Sequence, residues 1–321
     1  VVVVDDGSPQ PVSEWLPGLH IPCRVTAVRQ ANGGAPAARH RGVLEARGEV
    51  LVITDDDMQV PPEFLAAHLA QHAPESRRAV VGRIRSSSKL SEMPLFERFH
   101  ADLLDRWGSR RLGGDALCTG NLSLRRSDYL AVGGFDAALE RAEDIDLGIR
   151  LEQSGVEVVF SEEAFSIHDS DHTDFAVWRR RVVSYGRCWT QISRKYPRLV
   201  QADPWRAFFG NALVKRPFVT AALMFPRLGG VLSGAVQRAA LGVDRLGFER
   251  LALRLTSLLS DLEFFRGVRK ETGTLAVTVS SCADFLDKVA AAKAPMPPVG
   301  PGTIRLGRVL RTLGRRRPRP S

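Results

Sequence analysis

The sequence predicts an α/β domain with a mostly parallel sheet flanked by helices, followed by a helical C-terminal region. Three observations predict it. Short β-branched runs alternate with helix-period segments through the first half of the chain. Two of those runs end directly in acidic clusters, Asp5-Asp6 and Asp55-Asp56-Asp57. From Trp205 to about Arg269 the pattern is helical and apolar-rich.

The elements follow in order. "VVVVDDGSP" is a buried strand running into a loop, and "CRVTAV" is a second short strand. After the loop "ANGGAP", the segment "AARHRGVLEARG" reads as a helix that stops at Gly48. "EVLVIT" is a third strand, and the acidic triplet comes next. Pro61 sits at the likeliest first turn of the helix in "PEFLAAHLAQH". "AVVGRI" is a fourth strand. "CTGNLSLRRSDYLAVGGFD" reads as a strand, then a short helix from about Ser127 that ends at Gly133-Gly134. "AEDIDLGIRLEQSG" is a helix stopped by Gly155, and "VEVVFS" is another strand. A long amphipathic helix spans "FAVWRRRVVSYGRCWTQISRKY". After the apolar helical stretch comes a segment without strong periodicity, then the linker "APMPPVGPG" and a basic tail. The organisation expected is a nucleotide-binding-type domain over 1–200, a helical region over 201–275 and a linker with tail over 276–321.

Composition narrows the function classes. The chain has 321 residues and a net charge of +9, and residues 302–321 alone carry seven arginines and no acid. No helix-turn-helix, zinc-finger or RNP pattern accompanies that charge, so no nucleic acid partner is expected. Cys23, Cys118, Cys188 and Cys282 are scattered without a C-x-x-C pair, which argues against a zinc knuckle or redox motif. No signal-peptide pattern opens the chain; it starts inside a strand, which reads as a fragment or an unusual start. In α/β sheets ligands gather beyond the carboxyl ends of strands, where both acidic clusters fall. Three adjacent carboxylates repel one another. A divalent cation offsets that; a solvated acidic turn is the bland alternative.

The order of motifs adds to this. "VVDDGS" precedes "NGGAPAARHRG"; a strand then enters "DDD", followed by "TGNLSLRR", "GGFD" and "EDIDLGIRL". This series, over roughly Val1 to Arg194, resembles the family 2 glycosyltransferases, inverting enzymes of the Rossmann-like GT-A fold. The departures are specific. The family's usual first strand-helix unit, with its turn beside the nucleotide, does not precede "VVDDGS". The family's "ARN" stands here as Ala38-Arg39-His40. The Q-x-x-R-W motif of processive members is absent, which implies transfer of one sugar per encounter.

The resemblance implies roles residue by residue. Asp55 and Asp57 match the D-x-D pattern and would hold Mn²⁺ or Mg²⁺ on the donor's diphosphate, with His168 a candidate for completing the shell and His172 a weaker rival. Alternation points Asp56 elsewhere, toward the ribose, unless the loop turns and makes it the main ligand. Asp5 and Asp6 would bind the nucleotide, and Arg39 would lie near the donor. Asp144 matches the general base that takes the acceptor hydroxyl's proton; the alternative is that "AED" only complements a helix dipole. Gly120, Asn121 and Glu143 would line the pocket. The donor expected is a nucleotide sugar, most simply a UDP-sugar, and the acceptor a hydroxyl.

From Phe218 to Gln237 the only charge is Arg227, but Pro226, Gly229 and Gly230 interrupt the stretch. A peripheral helix pair is expected there rather than a membrane span. The tail places Ile304, Val309, Leu310 and Leu313 among arginines, a pattern suited to an anionic membrane surface. The location expected is cytoplasmic, peripheral on the inner face of the membrane. Two other functions compete: a non-catalytic nucleotide-binding scaffold, and a nucleotidyltransferase, whose Gly-rich phosphate loop is not seen.

Overall fold

The β-branched run at the start forms β1 (Val2–Asp5), paired in parallel with β2 (Thr26–Arg29) from Val2 opposite Thr26 to Asp5 opposite Arg29. The computed structural model describes residues 1–87, 90–105, 112–169 and 174–292. A short helix, α1 (Val12–Trp15), lies between the two strands. Pro36 in the first turn of α2 (Ala35–Glu45) is pre-set for helix and has no amide hydrogen to leave unpaired. β3 (Val50–Thr54) enters the acidic triplet, which turns into the two-residue β4 (Met58–Gln59). Then come α3 (Phe64–Leu69), β5 (Arg78–Ser86), α4 (Leu95–Asp105), β6 (Asn121–Arg125), α5 (Arg126–Ala131), α6 (Glu143–Gln153) and β7 (Glu157–His168).

These strands form a five-stranded sheet in the order β3-β6-β5-β7-β4, beside the β1-β2 pair. The sheet is mixed. β6 runs antiparallel to both β3 and β5, so the expectation of a mostly parallel sheet holds for β1 with β2 but not around β6. Residues 85–107, from the end of β5 through α4, belong to the second compact unit, so no local strand-helix-strand unit sets β5 and β6 parallel. The reversal has a consequence. Thr54 at the end of β3 is paired with Asn121 at the start of β6, so both strands deliver residues to one edge. Val80, Val81, Leu122 and Leu124 are fully buried in this sheet, with Leu147, Ile149 and Leu151 of α6.

The chain forms two compact units, one of Val1–Ile84 with Gly108–Ile167 and one of Arg85–Trp107 with His168–Ser321. The second is helical: α4, then α7 (Phe175–Lys195), α8 (Trp205–Gly210), α9 (Arg216–Met224), α10 (Pro226–Arg245), α11 (Glu249–Thr272) and α12 (Leu275–Ala292). Asp174 caps α7 by accepting from the amides of Ala176 and Val177 at 2.7 and 3.3 Å. α7 and α11 cross at two glycines. A Cβ on Gly186 would stand 1.9 Å from the Phe264 carbonyl oxygen, and one on Gly267 2.1 Å from that of Val183. The Arg179–Glu263 ion pair spans the same two helices, with Glu263 buried.

α4 and α12 were not evident from the sequence: α12 fills the segment that shows no strong periodicity. The linker, the basic tail and His172 lie outside the described residues. Among the described residues no helix is long and apolar enough to cross a membrane.

Candidate active site

One arginine gathers the site. Arg39 projects from α2 and is largely buried. Its Nε and Nη2 donate to Asp55 Oδ1 at 3.2 and 2.5 Å, and its Nη1 donates to Glu143 Oε1 at 2.7 Å. A planar fork can hold two carboxylates at fixed angles, which a lysine cannot. Burial opposes the guanidinium's charge, but Asp55 and Glu143 more than offset it and keep Arg39 charged. Three segments far apart in the chain thus meet: the end of β3, the middle of α2 and the first turn of α6.

α6 begins in an unusual way. Its N-cap residue, Ala142, has φ 59° and ψ 23°, the one non-glycine residue with positive φ among the described residues. An L-residue pays about 1–2 kcal/mol to stand there. Ala142 is buried, so the surroundings hold it in place. Such strain gathers at functional sites because structure must over-determine it. Directly after it come Glu143 and Asp144.

The two carboxylates differ sharply. Glu143 is paired with Arg39. Asp144 accepts from the Ile145 amide at 2.9 Å. Burial first, and then the negative charge of Glu143, push its carboxyl up to about 7. Arg39 pulls in the opposite direction without cancelling this. The first-turn position would by itself favour the charged form. Glu143 is thus tied to Arg39, while Asp144 exchanges a proton near neutrality, as acid-base groups do. Cys118 lies in the same field. Burial, then the Asp144 charge, push its thiol up to about 12, so it stays protonated.

Gly120 makes room for Asp55. A Cβ there would come within 3.4 Å of Asp55 Oδ2 and 3.2 Å of the Met58 methyl. Gly120 thus lies directly beside Asp55. Asp56 is exposed at the turn, and Asp57 is partly buried.

Other expected residues sit in hydrogen-bond networks of their own. Asn121 is wholly buried. Its Oδ1 lies 2.8 Å from His68 Nε2, and its Nδ2 donates to the Ala164 carbonyl at 2.9 Å and to Ser166 Oγ at 3.1 Å. It ties β6 to β7 and α3 by reaching across Gly82 of β5, where a Cβ would stand 2.4 Å from its amide nitrogen. His68 Nδ1 in turn meets Ser123 Oγ at 2.8 Å, as does His72 Nε2. The sequence reading missed this network; the His-x-x-x-His spacing on one helix face was its only signal.

Asp5 and Asp6 hold loops. Asp5 is buried and accepts from the Ser8 and Val12 amides at 2.8 and 3.1 Å and from Arg29 at 2.7 Å. The Ser8 bond, then that of Val12, hold its carboxyl down at about 2. Asp6 accepts from Gln30, Gly33 and Gly34 at 2.8, 2.9 and 2.7 Å. Burial pushes the Asp6 carboxyl up, but these bonds outweigh it and hold it below the usual carboxylate range. The pair thus ties the β1 loop to the loop before α2. His168, for its part, meets Glu97 and His100.

With the geometry established, comparison with known proteins is informative. Residues 1–129 match the family model described as glycosyl transferase family 2. A glycosyltransferase of Bacillus subtilis (strain 168), YfnE, is 27% identical over 221 residues, covering 52% of this chain and 56% of that protein. The pre-mycofactocin glycosyltransferase of Mycobacterium tuberculosis (strain CDC 1551 / Oshkosh) is 27% identical over 205 residues, 61% of this chain and 43% of that protein. The chain spans about half the length of these curated relatives. Among solved structures, the mannosyltransferase PcManGT from Pyrobaculum calidifontis, in complex with GDP-Man and Mn²⁺, aligns at 18% identity and TM-score 0.47, covering 81% of this chain and 75% of that one.

Proposed function

We propose that the chain is an inverting, non-processive glycosyltransferase that moves one sugar from a nucleotide-diphosphate donor to a hydroxyl acceptor. The observation that carries this reading is the Asp55–Arg39–Glu143 cluster, with Asp144 next to it poised near neutral pH. The match of residues 1–129 to the glycosyl transferase family 2 model supports it.

Asp144 acts as general base. A carboxylate that titrates near 7 is a far better proton acceptor at neutral pH than one near 4. Glu143 positions Arg39, and after burial itself it is the next contributor to the basicity of Asp144. Attack from the face opposite the leaving group gives inversion. Arg39 supplies positive charge at the edge where a diphosphate would leave.

The turn after β3 presents oxygen donors only, the chemistry that suits Mg²⁺ or Mn²⁺ rather than thiolate-seeking metals. Asp55 and Asp57 would hold the ion, with Asp56 facing solvent. When bound, it supplies Lewis-acid stabilisation of the departing diphosphate. Asp5 and Asp6 would serve the nucleotide through the loops they tie together, with UDP the simplest donor base.

The location proposed is cytoplasmic and peripheral on the membrane. Phe218, Met224, Phe225, Leu228 and Val231 are exposed along α9 and α10, and residues 204–243 contain no acidic side chain. That combination suits an anionic bilayer surface.

Calorimetry with UDP, GDP and dTDP, each with and without Mn²⁺, tests the reading. Metal-dependent binding of one nucleotide, lost in Asp55→Ala/Asp57→Ala, is expected. Asp144→Asn should keep that binding and lose transfer. Binding that ignores both the metal and the triplet would overturn the assignment.

A further inference from the structure

Three ligand-type side chains meet in the helical unit, apart in composition from the oxygen-only turn after β3. Glu97 and His100 stand three residues apart on α4, so they share one helix face. His168 is the last residue of β7. One ligand atom from each of the three lies within 4.8 Å of the others. The imidazoles of His100 and His168 are 6.0 Å apart between centroids, with planes at 82°.

The scaffold beneath them is stiff. On α4, Phe96 stacks on Trp178 at 5.8 Å and meets Phe175 edge-on at 5.1 Å, while Phe99 meets Trp178 edge-on at 6.4 Å. Arg98 fixes the same turn through Asp244 at 2.5 Å and Glu249 at 3.2 Å. Leu95, almost fully buried, packs in a core with Ala240 and Ala252. These contacts set the direction of Glu97 and His100 without calling on either side chain. Rigid support of this kind is what a ligand set requires.

Burial is graded in a useful way. Glu97 is buried, His168 is intermediate and His100 is exposed. A buried carboxylate is costly unless positive charge faces it. An ion held here would reach solvent on the His100 side. Around a tetrahedral ion with bonds of about 2.1 Å, ligand atoms stand about 3.4 Å apart. Small side-chain rotations close the present spacing to that value.

We propose that Glu97, His100 and His168 form a divalent metal site of the two-histidine, one-carboxylate type, with an open position toward solvent. Two imidazoles favour Zn²⁺ and Co²⁺ over Mg²⁺, whereas the oxygen-only triplet favours the opposite order. The proposal gives His168 a ligand set other than the Asp55–Asp57 shell, and it does not depend on glycosyl transfer. The competing arrangement is a protonated histidine paired with Glu97 and no metal.

The test is Zn²⁺ calorimetry on the full chain with excess Mg²⁺ present, and Co²⁺ absorption spectroscopy on the same protein. One Zn²⁺ equivalent should bind the unaltered chain and equally the Asp55→Ala/Asp57→Ala variant. His100→Ala should weaken binding by more than the ten- to hundredfold that losing an outer partner costs. His100 is exposed, so this change leaves the packing intact. His100→Cys should bind Co²⁺ and gain a thiolate-to-cobalt charge-transfer band, which shows that position 100 touches the ion. Loss of Zn²⁺ binding in the triplet variant would overturn the proposal. So would unchanged binding in His100→Ala, or a His100→Cys cobalt spectrum without the new band.

Discussion

Replacing Asp144 with Asn should stabilise the protein at alkaline pH while stopping transfer. The Asp144 carboxyl stands at about 7 in the folded chain against an ordinary 3.8, chiefly because burial penalises its charged form. Between those two values the native state keeps a proton that the unfolded chain has released. The stability from this group is therefore complete below pH 4 and is lost as pH rises through 7. At 1.36 kcal/mol per pH unit the full loss is about 4 kcal/mol. Asn cannot ionise, so the variant escapes it. Urea denaturation of both proteins at pH 5 and pH 8.5 is the assay. The advantage of the variant should grow by about 2–3 kcal/mol between the two. The wild-type pH–rate profile should show an ascending limb near 7. An advantage that does not change with pH, or a limb near 4, would refute the assignment of Asp144 as a raised general base.

The other predictions address its neighbours and supports. Arg39→Ala removes the charge that pulls the Asp144 carboxyl down, so the ascending limb of the pH–rate profile should move to higher pH, and kcat should fall. Gly186→Ala drives a methyl into the Phe264 carbonyl and should cost about 1–3 kcal/mol, read as a lower urea midpoint. Asn121→Ala strands His68 and the Ala164 carbonyl inside the sheet and should cost about 2–4 kcal/mol by the same measurement. Asp5 is held at about 2, below its unfolded value, so it contributes stability above pH 4 that disappears as pH falls toward 2; Asp5→Asn should flatten that part of the acid denaturation curve.

The sequence made visible what is local and periodic. β1, β3, β5 and α6 were legible because β-branched runs and a 3.6-residue repeat are written in adjacent residues. Asp55 and Asp144 were legible as members of an ordered motif series. What stayed hidden depends on distant neighbours. The role of Asn121 comes from carbonyls and hydroxyls on β7 and an imidazole on α3, and no pattern around position 121 announces them. The bond from Arg39 to Glu143 joins positions 104 residues apart. The direction of β6 could not be read because pairing sense belongs to the connection rather than to the strand. Asp5 and Asp6 illustrate a third kind of difficulty. The loop amides and side chains that each carboxylate accepts from come from positions 3 to 28 residues away, and nothing next to Asp5-Asp6 in the sequence marks them.

The length of chain bridged by Arg39 bears on biosynthesis. Contacts between residues so far apart form slowly, because the loop between them must close before either end is rewarded. A ribosome making about 5–20 residues per second needs roughly 5–20 s to go from position 39 to position 143. Throughout that interval the nascent chain carries Asp55 and Arg39 without Glu143 or Asp144. The Asp55–Arg39–Glu143 cluster can close only once α6 has been made.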